Sequence, residues 1–371
     1  MERIIGENVE ILEPIYFTKS VKVSKVKIPD TNETLCMKEL TLDCYRDINE
    51  IQNDYLSMIV LDHPNIGKVR GIYFTEAENS MKVQIFMNYY QEKDLENLIM
   101  QRRNTNDYIT AQNLISYIVQ AIDVFAYMQD NNLAHRDIKP SNIFLSENGS
   151  KIIVGDFGDS VKKSLITGTT IKGTENFLSP NLLKKYFESE EHANHDVFKS
   201  DVFSLGLTFL CVASLKIFER KKTQIEYENL IRGLRPEYND IKHLLQLMLK
   251  FEENQRYDFI NLRDEILKIS MTNSIFKNSL AQQTRNLILH QNEKKPYHLI
   301  KILESRNILS EKPYDIEHIK NEFDLYFAEQ EGTAVSKDAS LNQVKQKFEQ
   351  LGEKISELES FIQISLDSIK S

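Results

Sequence analysis

The sequence predicts an α+β fold of two lobes: a small strand-rich lobe, a larger helical lobe and a helical C-terminal extension. Three observations predict it. Residues 21–28 alternate branched and polar side chains (Val21, Val23, Val26 and Ile28 among lysines and Ser24), the period of a half-buried strand. Residues 111–129 bring Leu114, Ile115, Ile118, Ile122, Phe125 and Met128 onto one helical face. From Asp94 onward the strand period gives way to the helical one.

Taken in order, the strand over 21–28 meets a turn at Pro29-Asp30-Thr31-Asn32, and Thr34 to Leu40 returns as its partner. Tyr45 to Leu61 carries Ile48, Ile51, Tyr55, Met58 and Ile59 at helical intervals and stops before His63-Pro64. Ile72–Phe74 and Val83–Met87 are two more strands, and 88–94 joins the lobes. Ile143–Leu145 and Lys151–Val154 form a two-strand ribbon across Glu147-Asn148-Gly149-Ser150. Helices follow to Ser270. One of them, over 202–215, is broken by Ser204, Gly206, Thr208 and Ser214 and falls short of the roughly 20 residues of a membrane span, so it is expected in the core. The expected domain therefore covers 8–270, as 8–87, 88–94 and 95–270. A helical extension (271–330) and a linker (331–340) follow. In 341–371 the residues Leu341, Val344, Phe348, Leu351, Ile355, Leu358, Ile362 and Ile369 form a seam. That seam fits either a short coiled coil, for self-association or a partner helix, or an amphipathic helix folded back on the globular part.

Composition narrows the function classes. The 371 residues are 41% hydrophobic and 27% charged, the balance of a globular protein. With 46 basic and 55 acidic residues the net charge is −9, which argues against a nucleic-acid partner bound through bulk positive charge. The start, Met1 to Glu7, is too acidic for a secretory signal, and no membrane partner is expected. Cys36, Cys44 and Cys211 make an odd count without a close pair, which points to a reducing, cytoplasmic or otherwise intracellular setting, the nucleus included.

The chemistry concentrates in His135-Arg136-Asp137-Ile138-Lys139-Pro140-Ser141-Asn142, followed 19 residues after Asp137 by Asp156-Phe157-Gly158. A carboxylate, an ammonium and an amide within six positions, on a segment too Pro-bound for a helix, converge on one small volume. Asn142 and Asp156 offer two oxygen ligands of the kind Mg²⁺ takes while keeping waters and binding phosphates. Lys139 can neutralise a phosphoryl group in transfer, and Asp137 can accept or orient a hydroxyl proton.

These motifs, at this spacing, resemble the eukaryotic-type protein kinases, and the resemblance extends over about residues 8–270. It implies a two-lobed kinase-like fold and a Ser/Thr kinase that uses ATP and Mg²⁺ on a protein substrate. By that resemblance Lys38 grips the α/β phosphates, Asn88 to Tyr90 meet adenine through their backbone, and Met87 guards the back of the pocket. Asp94 lies near the ribose, although an acid there equally suits capping of the helix from Leu95. Asp137 and Lys139 are the expected catalytic residues, with Asn142 and Asp156 on the metal. The resemblance also has Thr174 bonding Asp137 and Lys139, Asp201 holding the catalytic-loop backbone, and His135 and Phe157 packing. Arg136 would pair with a phosphate added at Ser164, Thr167, Thr169 or Thr170.

Three departures stand against the resemblance. No glycine occurs between Gly6 and Gly71, so the phosphate-cradling loop, expected around Pro14 to Ser20, carries bulky residues. The acid that should pair with Lys38 falls at Asp54 by register, with Glu50 one turn earlier. Asn181 stands where a glutamate would pair with an arginine near Arg256, which predicts a looser lobe. The alternative to an active kinase is a pseudokinase that works as a scaffold through its C-terminal helices.

Overall fold

The computed structural model describes residues 9–18, 21–29, 31–42, 58, 61–77, 80–162, 169–190, 192–218 and 222–292. Apart from helical Met58 and the terminal Leu61, the helix expected over 45–61 lies outside them, with Asp54 and Glu50. Ser164, Thr167, the linker and the seam of 341–371 lie outside them too. The chain divides into two compact units, the larger made of His63–Gly67 and Tyr90–His290.

The smaller unit holds a five-stranded antiparallel sheet of order β1-β2-β3-β5-β4. Its strands are β1 (Glu10–Phe17), β2 (Val21–Lys27), β3 (Thr34–Leu42), β4 (Val69–Ala77) and β5 (Ser80–Asn88). The alternation of β2 places Val26 with Leu35, Met37 and Phe86 in a buried cluster that Val9 and Ile28 flank. The first strand is a correction to the expected loop around Pro14: Pro14 to Phe17 extend β1, and the Thr18 N–H donates to the Val21 carbonyl at the start of β2 (2.7 Å). Strand alternation could not reveal β1, because all eight of its residues are exposed, Ile15, Tyr16 and Phe17 among them. As an edge strand it carries Pro14 and two register shifts, features that discourage pairing with another chain.

The larger unit is helical: α1 (Leu95–Arg103), α2 (Ala111–Asp130), α3 (Pro180–Phe187), α4 (Val197–Ser214), α5 (Gln224–Arg232), α6 (Asn239–Met248), α7 (Phe259–Ser270) and α8 (Ser274–Asn292). Helix α4 is buried almost throughout, and Asp196 caps it by accepting from the Phe198 and Lys199 N–H groups. It is long and apolar enough to cross a membrane, but 89% of it is buried inside the fold, as a core helix requires. Gly206 sits where a Cβ would press on Met248, so its lack of a side chain sets how closely α4 and α6 approach. Short strands complete the unit: β6 (Leu133–Ala134) with β9 (Val161–Lys162), β7 (Ile143–Ser146) with β8 (Lys151–Val154), and β10 (Thr169–Thr170) with β11 (His192–Ala193).

The missing glutamate at 181 does not leave Arg256 without partners. Its buried guanidinium donates to the carbonyls of Lys250 (2.7 Å), Lys199 (3.0 Å) and Phe251 (2.9 Å) and lies 5.0 Å from the Phe203 ring. Burial pulls its pKa down to about 10, against the raising influence of Glu253, Asp196 and Glu252. Asn181 itself is exposed. Arg256 thus ties α4 to the loop before α7 through backbone acceptors. Arg256→Met should cost about 3 kcal/mol or more, because three half-buried carbonyls lose a charged donor. A urea midpoint equal to wild type would contradict that assignment.

Candidate active site

The catalytic loop is built on α4. Asp201, from the first turns of that helix, is buried and accepts from the backbone N–H groups of His135 (2.7 Å) and Arg136 (2.9 Å). Burial raises the Asp201 pKa to about 6, opposed by His135 and by those N–H groups. Those bonds hold Arg136 in the left-handed region, at φ 67°, so the chain turns sharply and presents Asp137. His135 packs between Phe125 and Phe157, its Nδ1 accepting from the Asp137 N–H (3.3 Å) and its Nε2 donating to the Gly155 carbonyl (3.1 Å). The expectation that His135 and Phe157 pack rather than react agrees with this geometry.

Four donors converge on the Asp137 carboxylate. Its Oδ1 accepts from the Thr174 N–H (2.9 Å) and the Thr174 hydroxyl (2.8 Å). Its Oδ2 accepts from Lys139 Nζ (2.7 Å) and Asn142 Nδ2 (3.1 Å). Lys139 also donates to Thr174 Oγ1 (2.9 Å), which closes a ring of carboxylate, ammonium and hydroxyl. Gly173 makes this possible: its φ of 107° suits glycine, and a Cβ there would strike the Arg136 carbonyl.

Of the two metal candidates, Asn142 is bonded to Asp137 of this ring. The Asn142 amide nitrogen is engaged by the Asp137 carbonyl (2.8 Å) and side chain, so its oxygen is the atom that could serve a cation. The Asn142 carbonyl accepts from the Gly155 N–H (3.1 Å), which holds the loop against the residue preceding Asp156. Asp156 is exposed at φ 60°. Among the described residues there is no cluster of three or more His, Cys, Asp or Glu able to hold a metal. A two-oxygen pair fits Mg²⁺, which completes its shell with water and phosphate.

Arg136 and the segment after Asp156 are joined in a way the sequence did not indicate. Arg136 donates from Nε to the Asp159 carbonyl and from Nη1 to the Thr170 carbonyl (3.5 Å), and Lys172 pairs with Asp159 (3.0 Å). Thr170 pairs with His192 across β10 and β11, and Ile171 packs against Leu178, Leu182 and Ala193. Asp159 and Lys172 carry no motif signal, because each acts through the folded position of its loop.

The remaining candidates divide between the units. Asp94 is the N-cap of α1, accepting from the Asn97 N–H (2.8 Å) and the Asn97 amide, so its capping role is realised. The Tyr90 ring lies 5.7 Å from Phe144 in the larger unit. In the smaller unit Lys38 lies opposite Val23 and Ile85, and Met87 lies opposite Cys36. By strand alternation Lys38, Cys36 and Met87 share the sheet face opposite the Val26–Phe86 cluster. The Asn88 N–H donates to the Lys68 carbonyl (3.2 Å).

A loop that locks a carboxylate, an ammonium, an amide and a hydroxyl together over a buried helix is the catalytic loop of a protein kinase. The chain belongs to the protein kinase domain family, whose model matches residues 18–285. It is 29% identical over 209 residues to a protein of Acanthamoeba polyphaga mimivirus described as a serine/threonine-protein kinase, covering 53% of this chain and 71% of that one. It is 29% identical over 204 residues to an Aurora kinase of Eremothecium gossypii, covering 53% and 50%. With the human serine/threonine-protein kinase Nek11 it shares 30% identity over 188 residues, covering 50% and 27%. The chain thus spans half or less of the length of the last two relatives. The expected fold class, an antiparallel sheet unit and a helical unit of kinase type, is the one observed.

Proposed function

We propose that this chain is a Ser/Thr protein kinase that transfers the γ-phosphoryl of Mg·ATP to a protein hydroxyl inside the cell. The ring joining Asp137, Lys139, Asn142 and Thr174 carries this reading. Thr174 on Oδ1 and Lys139 and Asn142 on Oδ2 fix the carboxylate's orientation, and that carboxylate accepts the proton of an incoming hydroxyl. Lys139, already on Oδ2, stands where it neutralises charge on the phosphoryl group as that proton moves. Asn142 and Asp156 would hold Mg²⁺, which neutralises and orients the phosphates. Lys38 is assigned to the α/β phosphates by family position, and Met87, Asn88 and Tyr90 to the adenine.

The scaffold reading draws on one observation: β1 runs through Pro14 to Phe17, so the turn to β2 lacks the glycines that let backbone N–H groups approach phosphate. Thermal shift separates the two. ATP should raise the melting temperature only with Mg²⁺, and Asp156→Asn should remove that rise. Equal melting curves with and without Mg·ATP in wild type would favour the scaffold.

A further inference from the structure

The first helix beyond residue 270 carries, at its middle, a residue in a buried polar cluster that the catalytic reading does not use. Gln283, on α8, is 1% exposed. Its Nε2 donates to Asn65 Oδ1 (2.7 Å) and to Asp123 Oδ2 (2.8 Å). Asp123, on α2, also meets His63 Nε2 (3.2 Å), and His63 Nδ1 accepts from the Asn65 N–H (3.1 Å), so the imidazole carries its proton on Nε2 and donates it to Asp123. Two acceptors, a carboxylate oxygen and an amide oxygen, thus face one amide nitrogen. Gln283 Oε1 is buried with no hydrogen-bond partner among the described residues, so it is the donor end of this side chain that the site uses.

Asn65 connects this cluster to the metal site. Its side-chain nitrogen donates to the Ile152 carbonyl (2.7 Å) and to Gln120 Oε1 (3.0 Å), and that oxygen accepts in turn from the Ile152 N–H (3.0 Å). Its backbone carbonyl accepts from the Val154 N–H (2.7 Å), and the Gly67 N–H donates to the Val154 carbonyl (2.8 Å). One edge of β8 is bonded to β7 and the other to residues 65–67, and β8 ends two residues before Asp156. The orientation of Asn65 decides whether these bonds can form. With its nitrogen committed to Ile152 and Gln120, its oxygen must find a donor, and Gln283 is that donor.

We propose that Gln283 is a positioning residue for the Mg²⁺ ligand Asp156, acting through Asn65 and β8, so that α8 is a working part of the phosphotransfer site. Helix α8 thereby braces the strand that delivers Asp156, and its docking sets how tightly that carboxylate is aimed. The inference rests on the kinase reading for its catalytic consequence and on geometry alone for the brace.

The full chain is compared as wild type, Gln283→Leu, Gln283→Glu and Gln282→Ala, the last on the exposed face of α8. Gln283→Leu removes the donor of Asn65 Oδ1 and leaves Asp123 Oδ2 with His63 alone of its two side-chain donors, and Gln283→Glu sets a carboxylate against Asp123. Amide exchange in peptides covering Gly67 and 151–155 should be faster in both Gln283 variants and unchanged in Gln282→Ala. The Mg²⁺ concentration that half-saturates transfer should rise about tenfold in both, the usual effect of losing a group that orients a ligand. KM for the protein substrate should hold, and a general loss of stability, which lowers the amount of active enzyme, would move neither the Mg²⁺ half-saturation nor exchange at these peptides selectively. Should Gln283→Leu fail to fold, Gln283→Glu alone decides. Unchanged exchange and unchanged Mg²⁺ dependence, or equal changes in Gln282→Ala, overturn the brace. If wild type shows no Mg²⁺-dependent ATP binding, the kinase reading falls and the exchange data still decide whether Gln283 holds β8.

Discussion

Asp137→Asn is expected to lower phosphoryl transfer about a thousandfold while the melting temperature moves by only a few degrees, the scale at which a positioned proton acceptor contributes. The carboxylate receives donors on both oxygens, from Thr174 on one side and from Lys139 and Asn142 on the other. An amide at 137 has one acceptor and one donor end. Whichever way it turns, an NH₂ group confronts either the Thr174 N–H or the Lys139 ammonium, so the ring opens on that side. Initial rates at saturating Mg·ATP, with circular dichroism as the folding control, check this. Transfer within threefold of wild type would show that Asp137 is not the acceptor.

The second large effect lies one layer deeper, at Asp201. Asp201→Ala leaves the His135 and Arg136 N–H groups buried without an acceptor, at about 2–5 kcal/mol, and releases the turn that aims Asp137. Stability and transfer should therefore fall together, unlike at Asp137. The pH dependence carries a further signature. Burial raises this carboxyl to about 6 in the native state, from an ordinary 3.8. Between those values the native chain binds a proton that the unfolded chain has released, so the contribution of Asp201 to stability declines as pH rises through that window and is level above it. The urea midpoint of wild type relative to Asp201→Asn should decline from about pH 4 to about pH 6. A difference that is flat or rising over that range would contradict the burial of an ionisable group there.

The sequence carried the catalytic loop well, because motif residues act through short-range spacing. Asp137, Lys139 and Asn142 lie within one turn and a 3₁₀ segment; Thr174 meets Asp137 and Lys139, and Asp201 holds the backbone just before them, as the family resemblance expected. Strand β2 was legible from alternation, since one of its faces is buried, and β3 from the turn that returns the chain beside it. Strand β1 was not, because it is exposed on both faces and a proline interrupts it. Arg256 could not be assigned from its position alone: its partners are backbone carbonyls from residues 199, 250 and 251, and carbonyls leave no trace in side-chain identity. Gln283 was equally silent, one of several glutamines in a polar helix, with partners 160 and 218 positions away.

The central claim is that this chain moves phosphate onto serine or threonine. The direct measurement incubates the full chain with γ-labelled ATP, Mg²⁺ and a generic basic protein, then identifies the labelled amino acids after acid hydrolysis. Labelled phosphoserine or phosphothreonine from wild type, and none from Asp137→Asn, is the predicted result. Label on tyrosine alone, or the same label from both proteins, would contradict it.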